Sequence, residues 1–485
     1  MTQFNKIKID WQPNKDLKET LHSQILNYFI KNIMSGEWLI GQVLPSQRQL
    51  AELFDVNRST VVSVISELTS LGIVKPHIGK YTQIANNTWS LYSRNTPPEW
   101  NHYINAGMHR SNLPTIQTIN TLEFNENIIR LSTGEMAPEL FPHKMMRSVL
   151  DKIPTKALSL NYLEPLGLLE LREALSEHLK THGIHADPDQ ILIVSGSLQA
   201  LQLISLSLLK KGSTIYLEEP SYAKSLNVFQ SNSLNMVGIP MDNEGICPWL
   251  QLGSQLDKDA ILYTIPTYHN PTNHVMSLNR RQELLSWSRS LQLPIIEDDA
   301  YRELWFDDVP PPPLKSFDDT GNVLYLGSAS KSLAPGLRIG WVVGPKPVVN
   351  RLSDIKMQAD YGASSLSQWV LTEWITSGLY QEHLSSFRLK LKSKRDYLNL
   401  LLKEEFSEIA TWKLPTGGYY IWVTLNKKID TSKLFDQGIK ENILINPGYI
   451  YSFKNNVSIR LSYAYAKEED LKTGIKKLSQ LIKAL

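Results

Sequence analysis

Apolar residues recur one helical turn apart at Leu21, Ile25, Phe29 and Ile33, which predicts an amphipathic helix with Gly36 as its C-terminal cap. In Pro45-Ser46-Gln47-Arg48-Gln49-Leu50, a hydroxyl stands three residues before a glutamine, the pattern that caps the start of a short helix. After a polar turn at Asp55-Val-Asn57, the residues Val61, Val64, Ile65, Leu68 and Leu71 mark one face of a third helix that starts at Arg58. Gly72-Ile-Val-Lys75 and Lys80-Tyr-Thr-Gln-Ile84 read as two strands around a turn with His77 and Gly79. Residues 86–128 show no firm period and read as a linker, with Pro97-Pro98 and scattered Trp89, Trp100 and Tyr103. From about residue 129 onward, apolar runs alternate with amphipathic helices, which predicts an α/β body with a mostly parallel sheet. The candidate strands are Ile191–Val194, Thr214–Leu217, Ala260–Tyr263, Leu293–Ile296 and Val323–Leu326.

A chain of 485 residues is long enough for more than one domain. Lys and Arg total 50 against 48 Asp and Glu, so overall charge does not announce a nucleic-acid partner. The single Cys247 excludes an internal disulfide framework and suits a reducing compartment. No apolar run approaches membrane-spanning length and the start has no apolar signal core, so a soluble, cytoplasmic protein is expected.

Helix, short helix, helix and hairpin over residues 1–85 is the order of a winged helix-turn-helix. In that motif the third helix enters the major groove and the wing touches phosphates. Candidate DNA contacts are Arg58, Ser59, Thr60 and Ser63 at the third helix, Arg48 before it, and Lys75, His77 and Lys80 on the wing. This stretch holds nine Lys and Arg against seven Asp and Glu, so affinity must come from a local patch or from two copies. A three-helix protein-binding module is the plain alternative.

In a parallel sheet, ligands gather where strands end at their carboxyl termini. Four such ends carry Ser195-Gly196-Ser197, Glu219-Pro-Ser-Tyr222, Pro266-Thr-Tyr-His-Asn270-Pro271-Thr272 and Glu297-Asp298-Asp299-Ala300-Tyr301. The fifth carries Ser328-Ala-Ser330-Lys331, with Arg338 seven residues beyond the lysine. A lysine in a bed of small residues suits capture of a phosphorylated pyridine aldehyde as a Schiff base. Ser328 and Ser330 can donate to the phosphate, Arg338 can neutralise it, and the turn at Ser195 offers free helix N–H groups. Asp298 can keep the ring nitrogen protonated, Asn270 and Tyr301 can bond the phenolic oxygen, and Tyr222 can stack on the ring. Taken singly, a solvated lysine, an acidic turn and core aromatics would account for the same residues.

Residues 1–85 resemble the GntR family through L-P-S-Q-R-Q-L-A (Leu44 to Ala51) and V-N-R-S-T-V (Val56 to Val61). The wing departs from that family's glycine-rich turn. Residues from about 130 to 485 resemble the fold-type I, class I aminotransferases, and the whole chain resembles a MocR-type transcriptional regulator. The matching segments include N-Y-L-E-P-L-G-L-L-E-L-R (Asn161 to Arg172), E-D-D-A-Y, S-A-S-K-S-L-A-P-G-L-R, P-T-G-G-Y-Y-I-W (Pro415 to Trp422) and I-R-L-S-Y-A (Ile459 to Ala464). His269 and Asn273 stand where the family usually has Gln and Gly; Asn tolerates the left-handed backbone that Gly would supply.

The resemblance implies domains at 1–85 and 129–485, with a smaller part from about 375. It implies pyridoxal 5'-phosphate (PLP) at Lys331, with Ser197 and Leu198 holding the phosphate through backbone amides. Tyr162 would reach the phosphate of the neighbouring subunit, and Arg460 would take the α-carboxylate of an amino acid, a salt bridge being its structural alternative. The expected protein is a head-to-tail homodimer that binds operator DNA and senses an amino acid or amine, or PLP itself, as an aldimine at Lys331. A working aminotransferase with an accessory DNA-binding domain is the alternative.

Overall fold

The computed structural model describes residues 7–485 except 8, 18, 35–36, 39, 78–80, 86–99, 101–102, 104–105, 108–110, 154–160, 253–255, 258 and 455–456. The chain forms two compact units, Met1–Gly107 and Met108–Leu485.

In the first unit, α1 (Leu21–Met34), α2 (Gln47–Phe54) and α3 (Arg58–Ser70) pack around Ile25, Phe29, Leu50, Phe54, Val61, Val64 and Leu68, all buried. The expected capping box is present: Gln49 N donates to Ser46 Oγ at 3.3 Å, and Ser46 N donates to Gln49 Oε1 at 3.0 Å. Asn57 caps α3 by accepting from Ser59 N at 3.1 Å. Gly72, expected to open a strand, instead closes α3. Its φ of +70° lets Ile73 N reach Leu68 O at 2.9 Å, so the strand starts two residues later. β2 (Val74–His77) and β3 (Tyr81–Ile84) form the wing, and β1 (Val43–Leu44), which the sequence pattern did not single out, pairs with β3. Trp11 stacks on Tyr28 at 4.3 Å over this core. Gly36, Gly79 and Lys80 lie outside the described residues.

The second unit is built on a seven-stranded sheet. Its strands are β5 (Ile191–Val194), β6 (Thr214–Glu219), β7 (Asn235–Pro240), β8 (Ile261–Thr264), β9 (Ile295–Asp298), β10 (Val323–Ser328) and β11 (Gly340–Val343). They lie in the order β5-β11-β10-β9-β8-β6-β7, parallel except for β11. β5, β6, β8, β9 and β10 are the five expected strands, shifted by two residues at most. A second sheet joins β12 (Ala410–Trp412), β13 (Tyr420–Leu425), β15 (Asn446–Pro447) and β16 (Ser458–Ser462). Helices Leu379–Glu405, Thr431–Lys440 and Glu468–Ala484 complete this smaller part.

Part of the stretch read as a linker is ordered in this unit. Pro114–Leu122 is a helix with Pro at its first position, and Ile119 is buried in the core of the smaller sheet. β4 (Ile129–Arg130) pairs in parallel with β14 (Ile443–Leu444). Among the described residues, no helix is long and apolar enough to cross a membrane.

Candidate ligand cavity and nucleic-acid face

The carboxyl ends of β5, β6, β8, β9 and β10 open into one cavity of about 650 Å³. It brings together Ser197, Leu198, Tyr222, Asn270, Asp298 and Tyr301. Ser328, Ser330, Lys331, Arg338 and Arg460 line it as well. Lys331 Nζ donates to Gly134 O at 2.6 Å, and Tyr419 Oη donates to the Lys331 carbonyl, which fixes both ends of this lysine.

Asp298 is buried at the end of β9. Tyr263 Oη donates to its Oδ2 at 2.8 Å, and no cation pairs with it among the described residues. Burial pushes its carboxyl up to about 6, against that hydrogen bond. A carboxylate held in this way is poised to meet a cation in the cavity.

Arg460 projects from β16. Its Nη1 donates to Asn270 Oδ1 and its Nη2 to Ser132 O, both at 2.8 Å. The guanidinium lies 4.0 Å above the Tyr420 ring and 5.1 Å from that of Tyr451. Its Nε is buried without a partner among the described residues, leaving a donor to spare for an anion.

The helix Ser197–Ser207 opens on Gly196 at φ +93° with no side-chain cap, so its first amides, at Ser197 and Leu198, have no earlier carbonyl to bond. Arg338 closes over this turn and donates to Ser195 O at 2.9 Å. A Cβ on Gly196 would lie 2.7 Å from Arg338 Nη2, so only glycine admits the arginine there. The cavity therefore joins an amine, a carboxylate short of a cation, an anion seat and a second guanidinium. Tyr162 lies apart from it, exposed and 4.8 Å from Tyr361.

His269 is buried, and its Nδ1 lies 2.8 Å from Thr272 Oγ1. Burial lowers it to about 3, so this imidazole is neutral and braces the turn. Asn273 adopts φ +57°, as a residue in the position of a glycine must. Its Nδ2 donates to Gly417 O at 2.7 Å and Tyr420 O at 2.8 Å, tying the loop after β8 to the start of β13.

In the first unit, Arg58, Ser59 and Ser63 share the exposed face of α3 with Val62 and Ser66, and Thr60 is half-buried beside them. Arg48 is exposed on α2 and pairs with Glu52 at 3.1 Å. Lys75 is exposed on β2; the His77 ring lies 4.6 Å from that of Tyr81.

A model of the gntR family of bacterial regulatory proteins matches residues 21–84, and a model of aminotransferase class I and II matches residues 126–478. The HTH-type transcriptional regulator YisV of Bacillus subtilis is 50% identical over 98% of this chain and 98% of its own. The chain belongs to the MocR-type regulators of the GntR family. The body of this MocR-type regulator is similar to a kynurenine aminotransferase of Pyrococcus horikoshii solved with PMP. That likeness has a TM-score of 0.73 and 32% identity, over 77% of this chain and 95% of that one. It is also similar to LysN of Thermus thermophilus, an alpha-aminoadipate aminotransferase complexed with N-(5'-phosphopyridoxyl)-L-leucine. There the TM-score is 0.72 and the identity 28%, over 80% of this chain and 98% of that one.

Several cavity residues of this MocR-type regulator carried no role in the sequence reading. Gly134, Glu123, Asn446 and Tyr451 line it from segments with no motif of their own. Tyr420 was visible only as part of P-T-G-G-Y-Y-I-W; its hydroxyl stands 3.0 Å from that of Tyr301. Gly134 needs its missing Cβ, which would lie 2.5 Å from Tyr420 Oη.

Proposed function

We propose that this chain is a DNA-reading regulator that holds PLP at Lys331 and responds to an amino acid or amine in the same cavity. The observation that carries the reading is the buried Asp298 carboxylate, which pairs with no cation among the described residues and faces a cavity that also holds Lys331 and Arg460. PLP, when bound, supplies an aldehyde that captures amines and a ring that draws electrons from them.

Asp298 would hold a proton on the ring nitrogen, with Tyr263 keeping the carboxylate turned toward it. Asn270 and Tyr301 would donate to the phenolic oxygen, and Tyr222 would cover the ring. The amides of Ser197 and Leu198, the hydroxyls of Ser328 and Ser330, and Arg338 would bind the phosphate. Arg460 would take the carboxylate of the effector through its planar donors. The exposed Tyr162 is available to a second subunit in a head-to-tail dimer.

DNA binding belongs to the GntR unit, with Arg58, Ser59, Thr60 and Ser63 presented by α3, Arg48 on α2 before it, Lys75 and His77 on β2, and Lys80 as a further contact expected from the sequence. The effector shifts DNA binding only if it favours one arrangement of the chain over another. PLP titration of the wild-type chain gives a near-visible absorption band that Lys331→Ala abolishes; equal spectra for the two proteins would overturn the reading. A working aminotransferase is the second reading, favoured by the presence of lysine, aspartate and arginine in one cavity. Steady-state keto-acid production with a second acceptor supports the enzyme, and its absence supports the sensor.

A further inference from the structure

Outside the cavity, His178, His182 and Glu303 bring one ligand atom each to within 4.8 Å of one another, the only such group of three among the described residues. His178 lies on the helix Leu169–Lys180 and His182 just beyond its end, four residues on. Both therefore face the turn after β9 that carries Glu303. Glu303 Oε1 stands 3.0 Å from His178 Nε2 and 3.2 Å from His182 Nε2. Both pairs stand at ion-pair distance, and the buried Oε1 makes no well-directed hydrogen bond. Two imidazole nitrogens and a carboxylate oxygen gathered this closely form a set of ligand atoms that suits a shared ion between them.

Two of the three separations match those around such an ion. Tetrahedral zinc with bonds of about 2.0–2.1 Å sets its ligands roughly 3.3 Å apart, close to the two separations here. Arg388 holds the other carboxylate oxygen, Nη2 donating to Oε2 at 3.0 Å and Nε to Glu303 O at 2.7 Å. That orients Oε1 toward the imidazoles, as outer hydrogen bonds do for metal-binding carboxylates. The guanidinium charge opposes a dication, while Glu170, Glu173 and Glu177 line an open groove beside His178 and favour its approach. We propose that His178, His182 and Glu303 form a binding site for a zinc-type divalent cation, with the fourth position open. An ion there would pin the helix end to the turn that begins at Tyr301, two residues from Glu303.

The test uses the full-length chain stripped with a chelator and titrated with zinc chloride against a chromophoric competitor. One equivalent per chain is expected, with at least ~10-fold weaker binding in His178→Ala and His182→Ala and no change in His185→Ala, whose side chain is exposed nearby. Zinc should raise the melting temperature of the wild type and not of the variants. If the variants fail to fold, X-ray absorption of the zinc-loaded wild type decides: two imidazole nitrogens with oxygen donors support the site. No stoichiometric uptake, uptake unchanged in both variants, or sulfur from Cys247 in the shell would each overturn it.

Discussion

Arg460 Nη1 donates to Asn270 Oδ1 at 2.8 Å, so the guanidinium from β16 is tied to the loop that follows β8. The strand of the smaller sheet and the loop of the larger one thus meet at the two residues expected to bind opposite ends of an effector–cofactor pair. Whatever anion enters must share this arginine with Asn270, which couples recognition of the effector to the setting of the ring.

Arg460→Lys keeps the charge and loses the planar pair of donors. Loss of a charge-assisted contact of ~1.5–3 kcal/mol predicts amino-acid binding weaker by roughly 10- to 150-fold. Amines without a carboxylate should bind wild type and variant alike. Absorbance titrations of the PLP-loaded chain check this, and equal losses for both ligand classes would remove the carboxylate role.

Gly196→Ala places a Cβ 2.7 Å from Arg338 Nη2 at a backbone angle that glycine alone adopts freely. The arginine must swing out, so PLP affinity should fall ~10-fold or more, and Arg338→Ala should give a similar loss in a PLP titration. The alanine at 196 should also lower stability by ~1–3 kcal/mol from backbone strain.

Arg58→Ala removes an exposed cation from the first turn of α3. Binding to DNA carrying the operator should weaken, with the salt dependence of log K reduced by about one phosphate contact if Arg58 meets the backbone. The PLP absorption band should be untouched. Unchanged DNA affinity would mean that α3 is not the reading helix.

The legible part of this protein was the part whose signal is local. Fully buried strands such as Ile191–Val194 and the first four residues of β10, Val323–Leu326, write themselves as unbroken apolar runs, and their ends carried the residues that the cavity collects. β11 follows closely on the Lys331 turn and is only four residues long. β7 is an edge strand that begins with Asn and ends with Pro, so neither presents a clear run. The helix Pro114–Leu122 is rich in Thr and Ile, poor helix formers, and is held by burial of Ile119. His178 and Glu303 lie more than a hundred residues apart, and Gly134 meets Lys331 only through the fold; no window of sequence holds either pair.

Asn273→Ala leaves the carbonyls of Gly417 and Tyr420 without their donor and keeps a β-carbon at φ +57° without the short polar side chain that lets asparagine tolerate that angle. A cost of ~2–4 kcal/mol is expected in urea unfolding. Asn273→Gly loses the same hydrogen bonds without the left-handed strain and should be milder by about 1 kcal/mol. Alanine no worse than glycine would show that the backbone angle at 273 carries no strain.

The raised carboxyl of Asp298 gives a pH test with a definite sign. Its folded value of about 6 lies above the 3.8 of an unperturbed aspartate. Between those values the folded chain keeps a proton that the unfolded chain has released, so the unfolded state binds fewer protons and stability falls as pH rises. The contribution is full below about pH 4 and lost by about pH 6 to 7. Asp298→Asn has no such proton, while Glu218 and Glu297, also raised by burial, remain in both proteins and largely cancel. Wild-type stability relative to Asp298→Asn should therefore drop by ~1–3 kcal/mol across that window, read by urea unfolding at several pH values. A cationic partner for the carboxylate restores its preference for the charged form, so PLP should flatten the difference. Parallel curves for the two cofactor-free proteins would show that Asp298 is already ionised without a partner, and the cavity would then have no call for a ring nitrogen there.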